Sequence, residues 1–129
     1  MSEVTSVVVE IVARDIATSL AFYRLLGLPV PEHAGEHVEV ALPGGYTLAF
    51  DIEEVIAGMH PGWSPPAGAG RVAVAFGMNT AAEVDEVFQR LVAAGHPGVL
   101  SPFDAPWGQR YATVEDPDGI TVDLFAPLS

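Results

Sequence analysis

The stretch from Val7 to Leu28, VVVEIVARDIATSLAFYRLLGL, decides the fold, because it holds a complete strand-to-helix transition. Residues 4–13 are β-branched and apolar, which predicts a strand buried for most of its length. Asp15 follows, a short acceptor side chain of the kind that satisfies the free N–H groups at a helix start. Ile16, Leu20, Tyr23 and Leu26 then recur at helical spacing, and Gly27 supplies the stop.

Downstream, HVEVALP (37–43) and YTLAFDIE (46–53) flank Gly44-Gly45, a strong hairpin signal. From Glu54 to Gly70 the prolines Pro61, Pro65 and Pro66 and a Gly/Ala-rich end predict a loop, which also carries His60 and Trp63. GRVAVAFGM (70–78) reads as a strand. Thr80 and Glu83 form a capping box ahead of the stripe Val84, Val87, Phe88 and Leu91, and Gly95 ends that helix. Further strands are predicted around 99–103, 109–115 and 120–125, the last two joined by the turn Asp116-Pro117-Asp118-Gly119.

The order strand, helix, meander thus occurs twice. Placing Asp15 on Asn79, an offset of 64 residues, puts Val8 on Val72 and one helix on the other. The expected architecture is α+β: two βαβββ modules in tandem (about 1–56 and 70–129, with a linker at 57–69) forming a curved mixed sheet around a shared cavity within a single domain of residues 1–129.

Composition narrows the function classes. Half of the 129 residues are apolar, enough for a real core. The absence of cysteine excludes disulfides, thiolate metal sites and a cysteine nucleophile. The opening residues lack a basic leader and a small-residue cleavage site, and no apolar run reaches membrane-spanning length, so a soluble cytoplasmic protein is expected. Five basic side chains, all arginine, against 17 acidic ones give a net charge of −12. That field repels phosphate backbones and anionic lipid, which argues against nucleic-acid and membrane partners and favours cationic ligands. No phosphate loop, dinucleotide glycine pattern or Gly-x-Ser-x-Gly elbow is present, and Ser19 has no matching base.

Two segments carry a family resemblance. The opening, with Asp15, Ser19, Phe22 and Tyr23, resembles the entry segment of the vicinal oxygen chelate superfamily, which includes glyoxalase I, extradiol dioxygenases and bleomycin-resistance proteins. The ending WGQRYATVEDPDGITVDLFAP (107–127) resembles that family's closing hairpin. Together with the repeat, the resemblance covers nearly the whole chain. It implies four metal-ligand positions, usually His or Glu, which fall here on Val8, on or near Ala49, on Val72 and on Asp123. Only Asp123 can coordinate, and a divalent ion needs two or three converging donors. Neither a catalytic residue nor a cofactor is therefore expected.

The leading expectation is a metal-free binder, similar to the bleomycin-resistance branch, that sequesters a toxic aromatic or cationic drug. The resemblance further implies a homodimer that exchanges first strands or modules. The expected ligand-binding residues are Glu10, Phe50, Asp51, His60, Trp63, Phe103, Trp107, Arg110, Tyr111 and Asp123, chosen as aromatic groups with polar tips or as charges near strand ends. Arg110 has an alternative as the partner of a carboxylate such as Glu10. Asp85 and Glu86 read as solvated, Asp116 and Asp118 as turn formers, and none of His33, His37, His60 and His96 matches a ligand position. Two rivals stand beside this reading. One is a metal-dependent lyase, isomerase or dioxygenase with a site displaced onto Glu10, Asp51, Asp123 and a histidine; the other is a non-catalytic interaction or regulatory module.

Overall fold

A computed structural model describes residues 3–32, 35–66 and 70–128. His33 lies outside this set. The chain forms two compact units, Met1–Pro66 and Ala67–Ser129. The division falls within the predicted linker.

In unit one, β1 (Val7–Ala13), α1 (Ile16–Leu26), β2 (His37–Leu42) and β3 (Tyr46–Ile52) build a three-stranded mixed sheet in the order β1-β3-β2. The β1 strand runs parallel to β3 and β2 antiparallel to it. Asp15 caps α1, its Oδ1 accepting from Thr18 N at 3.2 Å. Gly27 ends it at φ 123°, where an L side chain would be strained, and Leu28 N donates back to Tyr23 O at 3.0 Å. The helix buries Phe22, Tyr23 and Leu26 on the face of the sheet that holds Leu48 and Phe50, and the Tyr23 and Phe50 rings lie 5.1 Å apart.

The expected loop from Glu54 onward is corrected at its start: α2 spans Glu53–Met59. Glu53 and Glu54 sit in its first turn, where the helix dipole favours anions, and every proline of the segment lies beyond Met59.

Unit two contains β4 (Val74–Gly77), α3 (Ala81–Ala93), β5 (Gly98–Ala105), β6 (Gln109–Glu115) and β7 (Thr121–Pro127), with a four-stranded sheet in the order β4-β7-β6-β5. The N-cap half of the expected capping box forms: Thr80 Oγ1 accepts from Glu83 N at 3.2 Å, while Glu83 Oε1 accepts from the Thr80 hydroxyl at 3.0 Å. Val84, Val87 and Leu91 of α3 are buried, as are Ala112, Val114, Val122 and Leu124 on the sheet face it covers. Asp116 closes the β6–β7 turn, its Oδ1 accepting from the N–H groups of Asp118 and Ile120.

Each unit is therefore α+β with one sheet face covered by a helix and one turned away from it. Unit one shows three strands rather than four among its described residues. The counterpart of β5 would fall between Leu28 and Glu36, where Pro29 and Pro31 remove backbone donors.

The repeat also needs a one-residue correction. The helix caps are Asp15 and Thr80, 65 residues apart. Only an odd offset keeps the faces in phase: 65 matches Ile11 to Phe76, both on helix-covered faces, whereas 64 would put Glu10 on Val74, whose partner Val122 is buried beneath α3.

Candidate functional site

Strand alternation sorts the candidate residues onto faces. On the open face of sheet one, β1 places Val8, Glu10 and Val12 beside Thr47, Ala49 and Asp51 of β3, and β2 places Ala41, Glu39 and His37 on their other side. Glu10, Ala49 and Glu39 make one row across the sheet; Val12, Asp51 and His37 make the next. Asp51 is 7% exposed. Its Oδ1 lies 2.6 Å from His37 Nδ1, while His37 Nε2 lies 2.9 Å from Glu39 Oε2. Hydrogen bonding to Glu39 first and Asp51 second raises the His37 pKa above its ordinary 6.5, against a smaller opposing effect of burial. Phe50, by contrast, is fully buried on the α1 side and belongs to the core.

On the open face of sheet two, Tyr111 and Thr113 of β6 flank Asp123 of β7. Tyr111 Oη donates to Asp123 Oδ2 at 2.6 Å and Thr113 Oγ1 to Asp123 Oδ1 at 2.8 Å. The carboxylate holds the phenol proton so firmly that the Tyr111 pKa is pushed up to about 12, with burial adding to the effect. Phe103, which pairs with Tyr111 across the β5–β6 hairpin, and Trp107 in the hairpin turn complete an aromatic group. The three rings meet edge to face at centroid distances of 5.4 to 6.4 Å. Gly108, at φ 91°, allows the turn that carries Trp107. Trp107 is 60% exposed, and its Nε1 donates to Gln109 Oε1 at 2.8 Å.

Arg110 stands apart. Strand alternation turns it to the α3 side of the sheet, where Nε and Nη2 grip both carboxylate oxygens of Asp85 at 2.8 and 3.2 Å and Nη1 donates to Asp104 at 2.9 Å. The reading of Asp85 as merely solvated is thereby corrected: it anchors α3 to β6. His60 and Trp63 lie together after α2, joined by a hydrogen bond from Trp63 N to His60 O at 3.0 Å.

The four metal positions implied by the family resemblance do not make a donor set. Val8 pairs with Thr47 rather than Ala49, and Val72 precedes β4 and is 75% exposed. On β1 and β4, the residues that pair with Ala49 and Asp123 are Glu10 and Ala75. Three of the four positions carry no ligand atom, and both oxygens of Asp123 already accept protein hydroxyls. Among the described residues, no group of three His, Asp or Glu side chains is placed to hold a metal ion.

With this geometry in view, residues 5–124 match the Glyoxalase/Bleomycin resistance protein/Dioxygenase superfamily. The chain belongs to that superfamily. Its fold is similar to a glyoxalase/bleomycin resistance protein/dioxygenase family enzyme from Burkholderia phytofirmans (TM-score 0.81, 22% identity, covering 94% of this chain and 97% of that one). A glyoxalase-related enzyme from Fulvimarina pelagi gives a TM-score of 0.80 at 24% identity, over 95% of this chain and 87% of the other. A superfamily protein from Nocardioides reaches 27% identity with a TM-score of 0.75, covering 100% of this chain and 87% of its own. No curated protein matches the chain. As a superfamily member it departs from the metal-binding pattern at the positions just described. Among its described residues, no helix is long and apolar enough to cross a membrane.

Of the ten residues the sequence pointed to, the structure places Glu10 and Asp51 on the open face of sheet one and Phe103, Tyr111 and Asp123, with Trp107 in the adjoining turn, on that of sheet two; Phe50 and Arg110 lie on the helix sides, and His60 and Trp63 follow α2. It adds His37, Glu39, Thr113 and Gln109. The signal for His37 and Glu39 was their alternation with Val38 and Val40 in β2, which puts both polar side chains on one face.

Proposed function

We propose that this superfamily member binds an organic small molecule against the aromatic group of sheet two, without a divalent ion at the family's metal positions. The observation that carries the reading is the placing of Phe103, Trp107 and Tyr111 beside Asp123 on one helix-free face. Rings offer flat stacking surface and attract cations through their faces, and the nearby carboxylate and the net charge of −12 favour a ligand that is planar, cationic or both. Sequestration of a toxic compound of this class, an antibiotic among them, is the role we assign, with a homodimer as the working assembly. A displaced metal site on Glu10, Asp51 and Asp123 draws no support from the donor set: among the described residues, no group of three His, Asp or Glu side chains is placed to hold a metal ion.

The test is a thermal-shift screen of metal-stripped protein against planar aromatic cations and, separately, divalent metals. A ligand at 100 times its Kd adds about 2.7 kcal/mol of stability. Stabilisation by an aromatic cation in chelator, weakened by Trp107→Ala, supports the proposal. At an exposed ring the loss corresponds to about 0.5–1 kcal/mol, or roughly two- to fivefold in Kd. Stabilisation by metals alone would overturn it in favour of an enzyme of the same fold.

A further inference from the structure

The ligand face proposed above lies on sheet two, and the polar group on sheet one has no part in it. There, His37 stands between two carboxylates of unequal standing. Asp51, directly opposite on β3, is 10% exposed at its side chain, whereas Glu39, two residues along β2, is 60% exposed. Among the described residues of the three strands, the other titratable group on this face is Glu10 of β1, in the row of Glu39 and separated from it by Ala49; β3 contributes none besides Asp51.

An imidazole can serve both carboxylates only while both ring nitrogens carry protons. Neutral imidazole has one N–H and one lone pair. Leaving the buried Asp51 without its donor costs more than leaving the exposed Glu39 without one, because water can replace the partner of Glu39. The remaining proton therefore stays on Nδ1. The lone pair of Nε2 then faces the Glu39 carboxylate, acceptor against acceptor, and Glu39 is the side chain with solvent to move into.

We infer that His37 is a proton-operated latch on sheet one: doubly protonated it ties β3 to Glu39 through Asp51, and on losing one proton it keeps Asp51, releases Glu39 and presents a bare imidazole nitrogen on the open face. The deprotonated state offers a hydrogen-bond acceptor oriented by a buried carboxylate and makes the face more negative by one charge. The first change favours ligands that donate a hydrogen bond and the second favours cationic ones, so an N–H-bearing cation gains on this face at higher pH. Histidine is suited to this because its charge changes near neutrality.

The latch is testable in the full-length chain without a ligand. Ring nitrogen and carboxyl carbon signals of His37 and Glu39 are followed by NMR across the neutral range, with His37 assigned by comparison with His37→Gln. The expected results are a His37 midpoint above 6.5, a neutral form protonated at Nδ1, and a Glu39 carboxyl shift with the same midpoint. In Glu39→Gln, an exposed change whose folding is checked by the amide spectrum, the midpoint falls back toward 6.5. A wild-type midpoint at or below that value, a neutral form protonated at Nε2, or an unmoved midpoint in Glu39→Gln would overturn the inference. Stability gives an independent reading. A pairing that raises the folded-state pKa stabilises fully below the unfolded value and is lost as pH rises through the folded one. Wild type should thus lose more stability than Glu39→Gln across that window, and equal losses would count against the latch.

Discussion

Asp123, at a position where the family resemblance implies a metal ligand, is in the structure the acceptor for two hydroxyls. Tyr111 donates to one of its oxygens and Thr113 to the other, so its charge acts on a phenol proton. The consequence is measurable. Replacing Asp123 with Asn removes the charge that holds the proton, and the Tyr111 midpoint should drop from about 12 toward the ordinary 10 in a phenolate absorbance titration, read against the same titration of Tyr111→Phe. The sign for stability follows: the Tyr111 pairing contributes below pH 10 and is lost as pH rises through about 12. Wild type should therefore weaken over that alkaline window more than Asp123→Asn does. A Tyr111 midpoint unaffected by the substitution would mean that Asp123 does not govern the phenol.

Among the elements, those with local signals were legible in the sequence and those set by pairing were not. Asp15 and Thr80 cap helices through bonds to residues three positions away, so the sequence alone located both starts. Thr80→Ala removes such a cap from α3 and should cost about 1 kcal/mol in denaturant unfolding; no change would mean that packing on sheet two alone fixes the helix start. The α2 helix escaped notice because the prolines and glycines beyond Met59 dominated the reading of a segment whose first seven residues contain none but Gly58. Bonds spanning longer separations lie beyond a local pattern. His37 meets Asp51 only because the β2–β3 hairpin sets that register, and Arg110 meets Asp85 only because α3 lies across β6. Phe50 resembled a ligand-binding aromatic until the β3 register placed it beneath α1, where the neighbouring Asp51 points the opposite way.

For the molecule as a whole, the excess of 17 acidic over five basic groups acts at a distance. Its reach shrinks from about 30 Å at 0.01 M salt to about 8 Å at 0.15 M. Association of a cationic aromatic ligand should therefore slow across that range in stopped-flow fluorescence of the tryptophans, while an uncharged analogue is unaffected; equal salt dependence for both would show that charge plays no steering role. The repeat has a different kind of consequence, for how such a chain can lengthen or shorten over evolutionary time. A strand is written in a frame of two. One residue inserted between Ile11 and Asp15, with the cap and helix held in place, would carry Ile11 to the open face and drive Glu10 under α1, whereas two inserted residues restore the frame. Single insertions and deletions should thus be purged from β1 and β4 and should accumulate where no frame is kept, as between Leu28 and Glu32. The two halves can drift apart in length without limit there, yet each strand still has to count in pairs.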